Sequence, residues 1–228
     1  MYVKLIDYPL DPALLVACGG RICYSDKHAS DIYKMSDDEA NKMVQHAIDS
    51  HHDSLFEHVN FTFLIEDVSR VLSHQLVRHR IMSPHQRSQR YVTLHKGEYV
   101  TPKSIEENPE AKKIYDFAVD QAAAAYQTLI DMGIPKEDAR YIYPNAAHTQ
   151  LIITINGRSL QHMLGLRLCN RAQGEIREMA ELMLKELRRV FPEFFNHVGP
   201  NCYMMGHCPE GKMSCGKMKE MQEKYKVD

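Results

Sequence analysis

Val59-Asn60-Phe61-Thr62-Phe63-Leu64-Ile65 alternates large apolar residues with partners that are mostly smaller or polar, and its aromatic and β-branched content marks a strand with one buried face. Leu151-Ile152-Ile153-Thr154-Ile155 is a second strong strand. Outward from these two runs, helical spacing prevails. Ser36-Asp37-Asp38-Glu39 is a capping box, with a serine to accept backbone N–H bonds and a glutamate three residues on. Ala40, Met43, Val44, Ala47 and Ile48 then form one apolar stripe. A short opening strand is expected over Val3–Asp7, ended by Pro9 and Pro12, and a short helix over about 69–77 carrying Val71, Leu72 and Leu76. Asn108-Pro109 opens a long helix, because a proline in the first turn forfeits no hydrogen bond. Its predicted buried side is Ile114, Phe117, Ala118, Ala122, Ala125, Leu129 and Ile130, and Gly133 is its stop. Pro135 starts a short helix that Pro144 closes, and Ile176, Met179, Ala180, Met183, Leu184, Leu187 and Val190 mark an amphipathic helix before Pro192. Several helices with a few separated strands predict a single domain of the α+β (mixed α/β) class.

The 228 residues are 44% apolar, enough for one substantial core, and the formal net charge of −2 gives no bulk attraction to nucleic acid or membrane. The opening residues hold no apolar run of signal-peptide length, and no stretch approaches the roughly 18–20 apolar residues of a membrane span. Cys18, Cys23, Cys169, Cys202, Cys208 and Cys215 read as reduced thiols. The expectation is a cytoplasmic protein.

Charge is informative locally. Val68 to Gly97 contains no Asp or Glu, yet holds Arg70, Arg78, Arg80, Arg87, Arg90 and Lys96, with His74, His79, His85 and His95. Like charges at this density repel unless an anion or solvent compensates them. A solvated basic face is the plain alternative. Two features favour an anion pocket: arginine replaces the lysine usual on a surface, and Ser83, Gln86, Ser88 and Gln89 put neutral hydrogen-bonding groups among the cations. A second set, Arg140, Arg158, Arg167, Arg171 and Arg177, follows. Arg158 comes just after Asn156-Gly157, where a strand gives way to a helix whose unpaired N–H groups favour a negative ligand.

Arg78-His79-Arg80-Ile81-Met82-Ser83-Pro84-His85-Gln86-Arg87-Ser88-Gln89-Arg90-Tyr91 resembles the signature of the flavin-dependent thymidylate synthases: Arg-His-Arg, seven residues, Ser, then Arg-Tyr. Phe56-Glu57-His58 resembles the segment before that signature. Asn156-Gly157-Arg158-Ser159-Leu160, Leu166-Arg167 and Arg171-Ala172-Gln173-Gly174-Glu175-Ile176-Arg177 resemble the family's C-terminal half. The likeness runs from about Arg21 to Pro200, so residues 1–200 are expected to form the synthase domain and 201–228 a cysteine-containing tail.

The resemblance implies a central sheet flanked by helices and a homotetramer with active sites between subunits. It implies FAD as cofactor, dUMP and methylenetetrahydrofolate as substrates, and NADPH as reductant. Carried over by position, Ser54, Glu57, Arg78, His79, Arg80, Ile81, Asn156, Arg158 and His162 would line the flavin. Gln75, Gln86, Arg87, Ser88, Arg90, Arg140 and Arg167 would hold dUMP, and His52 falls where the family places a histidine near flavin and folate. The catalytic set is Arg167, Ser88 and His52. This chain departs from the family in having His85-Gln86 for the usual Asn-Glu pair, which keeps a hydrogen-bonding shape and loses a charge. His162 stands where an asparagine is often found. The signature offers no cysteine to attack uracil, and no carboxylate accompanies His85 to make it a base for Ser88. Ser88 is therefore read as a positioner of dUMP, with the flavin as reactive centre, and Arg167 as the cation that polarises the uracil ring.

Two other functions have some footing in the residues. His46, His51-His52-Asp53 and His58 suggest a metal-dependent phosphohydrolase of the His-Asp type, but the further helical ligands are missing from the sequence. A nucleic-acid-binding module using the 68–97 window would call for a more basic chain than one of pI about 6.7. In the tail, Cys202, Cys208 and Cys215 with His207 invite a zinc site, but the spacings are not the paired two-residue type and His207 adjoins Cys208. Ordinary thiols in a partly ordered tail, and no metal, are the expectation.

Overall fold

The computed structural model describes residues 1–93 and 97–227; His95 and Lys96 of the basic window lie outside them. Four strands, β1 (Tyr2–Asp7), β2 (Asn60–Ser69), β3 (Ser83–Gln86) and β4 (His148–Asn156), form one sheet in the order β1-β2-β4-β3. The remaining elements are helices, so the mixed α/β class expected from the sequence is the class observed. Contacts gather the chain into two compact units. One comprises Met1–Tyr2, Ile65–Arg78 and Pro84–Ile152, the other Val3–Leu64, His79–Ser83 and Ile153–Asp228.

In the second unit the two strands read first from sequence pair antiparallel: Gly157 N donates to Val59 O at 2.9 Å, and the Thr62 and Thr154 hydroxyls meet at 3.0 Å. Phe56, Phe61, Phe191, Phe194 and Phe195 are fully buried in this unit, with Phe56 and Phe194 stacked at 3.8 Å. Each such ring contributes about 1.5–3 kcal/mol by leaving water. The helix Asp37–Asp49 begins with the expected capping box and buries Ala40, Val44 and Ala47. It ends on a Schellman motif, in which His52 N donates to Ala47 O and His51 N to Ile48 O, with His51 in the left-handed region at φ 54°. The helix Gly174–Val190 buries Ile176, Met179, Ala180, Met183, Leu184 and Leu187, as its spacing predicts.

The helix Pro12–Ile22 is a correction. Pro12 ends no strand; it occupies the first helical turn, and Asp11 Oδ1 caps it by accepting from Leu14 N at 2.8 Å.

In the first unit, β2 outlasts its predicted end. Ile65 is buried, but Asp67 takes φ 54° and the buried positions shift to Val68 and Ser69. A residue in this conformation breaks the two-residue period as a bulge does. Ser69 then caps the helix Arg70–Leu76, accepting from Leu72 N at 3.0 Å. The long helix Pro109–Asp131 starts on the Asn108 cap as expected, but its buried side differs. It packs through Val119 and through Tyr126, whose ring stacks on Tyr143 at 4.3 Å. Ile114 and Phe117, expected on the buried side, are 72% and 68% exposed.

Candidate functional site

Two groups of site residues are built separately, one in each unit. In the second unit, strand β4 ends at Asn156, whose Oδ1 accepts from Ser159 N at 2.8 Å and so caps the helix Gly157–Arg167. A Cβ at Gly157 would meet Phe56 O at 2.9 Å; only glycine lets this helix start against the Asp53–His58 turn. That approach brings Arg158 to Glu57, Nη1 to Oε1 at 2.5 Å. The hydrogen bond and charge of Glu57 raise the Arg158 guanidinium further above its ordinary range. Ser54 is exposed on the same turn. His52 is held at the turn's start by the Schellman motif, its ring edge-on to His46 at 6.0 Å.

At the other end of that helix, Arg167 Nε donates to His79 Nε2 at 2.9 Å, joining residues 88 apart in sequence. An imidazole that accepts at Nε2 is neutral and carries its proton on Nδ1. Burial, then the charges of Arg167 and His162, press His79 from its ordinary 6.5 down to about 4. The His162 ring lies 6.1 Å away, edge-on. Arg80 and Ile81 follow His79, with Ile81 70% exposed. Five of the nine residues assigned to the flavin are thereby drawn into two groups: Glu57, Asn156 and Arg158 at one end of a single helix, and His79 and His162 toward the other.

In the first unit, Gln86 at the end of β3 donates Nε2 to Thr149 Oγ1 at 3.0 Å, and Thr149 is buried. The amide is thus anchored from behind. Arg87 is held to Gln150 through backbone and side chain, at 3.0 and 2.7 Å. Ser88 Oγ accepts from Arg90 N at 3.2 Å, a local turn contact that pairs the hydroxyl with no base. Arg90 makes a two-nitrogen contact with Glu137 Oε2, at 2.7 and 2.6 Å, while Arg140 Nε donates to the Glu137 carbonyl at 3.1 Å. One residue therefore draws Arg90 and Arg140 together. Burial and then the charge of Arg140 lower the Arg70 guanidinium, so Arg70 stands near Arg140. Gln75 sits on the same helix as Arg70, its amide on Val71 O at 3.4 Å.

Glu137 and Arg70 join the candidate site beside the residues that the family resemblance singles out. Arg70 was visible in the acid-free window. Glu137 carried no signal, being one acid of a short helix whose partner lies 47 residues away. Of the rivals, the His-Asp metal site finds no geometry: among the described residues no three His, Cys, Asp or Glu side chains could hold a single metal ion.

Residues 4–193 match the family described as thymidylate synthase complementing protein. A flavin-dependent thymidylate synthase of Geobacter sulfurreducens is 41% identical over 229 residues, covering 99% of this chain and 98% of the relative. One of Clostridium tetani is 41% identical over 240 residues, covering 98% and 96%. Among solved structures, a UMP/dUMP methylase, PolB from Streptomyces cacaoi bound with 5-Br dUMP, superposes with a TM-score of 0.76 at 25% identity. It covers 85% of this chain and 92% of its own.

Proposed function

The chain belongs to the flavin-dependent thymidylate synthase family, and from that premise we propose how its own residues make dTMP from dUMP, methylenetetrahydrofolate and NADPH. The observation that carries the proposal is the Arg167–His79 contact, which links the signature run to the C-terminal arginine set at 2.9 Å. Arg167 faces the uracil and stabilises the enolate-like charge on its carbonyl that makes carbon 5 nucleophilic toward the folate methylene. His79 is neutral at physiological pH, so it orients the guanidinium as a hydrogen-bond acceptor and adds no competing charge. Arg90 and Arg140 take the phosphate end of dUMP, since their forks suit its oxygens and Glu137 already gathers them. Gln86 and Ser88 position the nucleotide, with His52 near the folate.

The residues fit FAD. Among the described residues neither Arg78 nor Arg80 has a side-chain hydrogen bond or ion pair, and the apolar Ile81 beside them is exposed, a combination suited to a flat anionic ligand. Ser54, Glu57, Asn156, Arg158 and His162 complete the proposed contacts. The hydride that turns the folate-derived methylene into a methyl group comes from NADPH and is relayed by FAD when it is bound. The exposed Ile114 and Phe117 on the long helix support a homotetramer in which a neighbouring subunit covers them, with active sites between subunits. None of the described helices is long and apolar enough to cross a membrane, and six cysteines outside any disulfide suit the reducing cytoplasm that we propose as its compartment.

The test is tritium release from labelled dUMP by protein that purifies with FAD. Arg78→Ala combined with Arg80→Ala is expected to lower flavin occupancy at least tenfold in a folded protein. Stoichiometric flavin in that double variant removes both arginines from the cofactor site.

A further inference from the structure

Four of the six cysteines meet at one place. Cys169 follows the helix Gly157–Arg167, Cys202 sits in the short helix Asn201–Met204, Cys208 in the loop beyond it, and Cys215 after the turn Gly211–Met213. All four line a single cavity of about 300 Å³, with Arg167 and Arg171 also on its wall. Cys202 is buried and shares the cavity wall with Cys169, Cys208 and Cys215. The tail alone offers three thiols and a histidine. The fold supplies a fourth thiol 33 residues before Cys202, and His207 does not line the cavity but bonds to Met205 O at 3.0 Å.

The surroundings are built to hold these segments together. Gly165 lines the cavity, and a Cβ there would overlap Asn201 Oδ1, so the helix carrying Cys202 seats directly on the helix that leads to Cys169. Arg171 donates to Met213 O and fixes the turn before Cys215. Arg188, half-buried, donates to the carbonyls of Phe195, Val198 and Tyr225 at 3.2, 3.2 and 2.8 Å, which ties down both ends of the tail. Lys224 and Tyr225 bond to Glu181 at 2.6 and 3.2 Å. The tail packs against this unit through these contacts.

Geometry selects the occupant. A tetrahedral zinc site with Zn–S near 2.3 Å brings its sulfurs to roughly 3.8 Å of one another. Among the described residues no three ligating side chains are placed to hold a single ion. The cavity is also far larger than an ion needs, since about 10–15 Å³ already admits a water. An iron–sulfur cluster binds four thiolates at its corners and keeps them apart around its own bulk. We propose that Cys169, Cys202, Cys208 and Cys215 bind a four-iron, four-sulfide cluster that locks residues 201–228 onto the helix bearing Arg167. Arg171, on the cavity wall, offsets part of the negative charge of the four thiolates. Cys18 and Cys23 do not line this cavity.

The test uses full-length protein purified anaerobically, incubated with ferrous iron and sulfide, desalted, and assayed for iron, acid-labile sulfide and zinc. About four irons and four sulfides per chain are expected, with a Mössbauer spectrum of a cubane cluster. Cys169→Ser, Cys202→Ser, Cys208→Ser and Cys215→Ser are each expected to lose most of this content, whereas Cys23→Ser keeps it. The wild-type content decides whether the cluster exists, whatever the folding of any variant. Iron and sulfide below about a tenth of stoichiometry, or one zinc per chain without sulfide, overturns the proposal. So does undiminished cluster in a folded variant of any of the four. FAD content and dTMP formation, measured on the same preparation, separate failure here from failure of the synthase reading.

Discussion

Replacing Arg167 with alanine removes both a cation and the donor to His79, and the two consequences have different sizes. His79 is held near pH 4 by burial first, by Arg167 second and by His162 third. Burial remains in the variant, so the ring is expected to titrate between about 4 and its ordinary 6.5, not at 6.5. The full gap corresponds to about 3 kcal/mol between protonation states, and solvent screening at a half-buried ring reduces this to about 1–2. Its sign is fixed. A histidine whose folded pKa is depressed binds fewer protons folded than unfolded, so its stability contribution is intact above 6.5 and is lost as pH falls toward 4. Arg167→Ala should flatten that acid limb, because its His79 resists protonation less. Turnover is affected more. Losing one preorganised charge at the reacting carbonyl costs about 10²–10³ in rate, whereas flavin occupancy should stay within about twofold. The assays are His79 titration by NMR, urea midpoints between pH 4 and 7, and tritium release at saturating dUMP. A wild-type His79 that titrates near 6.5, or an alanine variant with undiminished kcat, refutes the assignment of Arg167 and its partner.

Ser88→Ala should slow turnover by about 2–10-fold, the worth of one neutral hydrogen bond, while still making dTMP; a dead variant with normal dUMP binding, or a trapped Ser88–uracil adduct, would make Ser88 a nucleophile. Glu137→Gln should tighten dUMP binding by about 2–5-fold, since an exposed ion pair to Arg90 worth up to about 1 kcal/mol no longer competes with phosphate; calorimetry showing a weaker complex would mean that Glu137 orients Arg90 instead. His51→Gly should raise stability by about 1 kcal/mol, because a left-handed φ of 54° costs a side chain what glycine does not pay; an unchanged or lower melting temperature would show that the histidine ring makes a compensating contact.

What was legible in the sequence was what is local or periodic. The capping box at Ser36–Glu39, the alternation through Phe61, Phe63 and Ile65, and the heptad-like stripe of the helix Gly174–Val190 each depend on residues a few positions apart, and each appears as read. Pro12 failed because proline marks both the end of a strand and the first turn of a helix, and Asp11 decides between them only once its carboxylate is seen on Leu14 N. Period alone puts Ile114 and Phe117 on the buried side, yet both are exposed, because periodicity identifies an apolar face but not which neighbour covers it.

The same limit governs the two sites. The signature run displayed its arginines openly, because a window without acids is a one-dimensional fact. Which cation is paired is a three-dimensional one. Arg90 finds Glu137 across 47 residues and Arg167 finds His79 across 88, and no spacing rule predicts either contact. The cysteines make the point most sharply. Judged by spacing, the tail offers three thiols beside an awkward histidine, and free thiols are the sound inference. The cluster proposed above rests instead on what Gly165 permits. By omitting a side chain where Asn201 arrives, it lets a helix ending near Cys169 receive the helix that carries Cys202. A ligand set such as the one proposed, with one residue just past a core helix and three in a tail, has no sequence period, so it becomes visible only when close packing is.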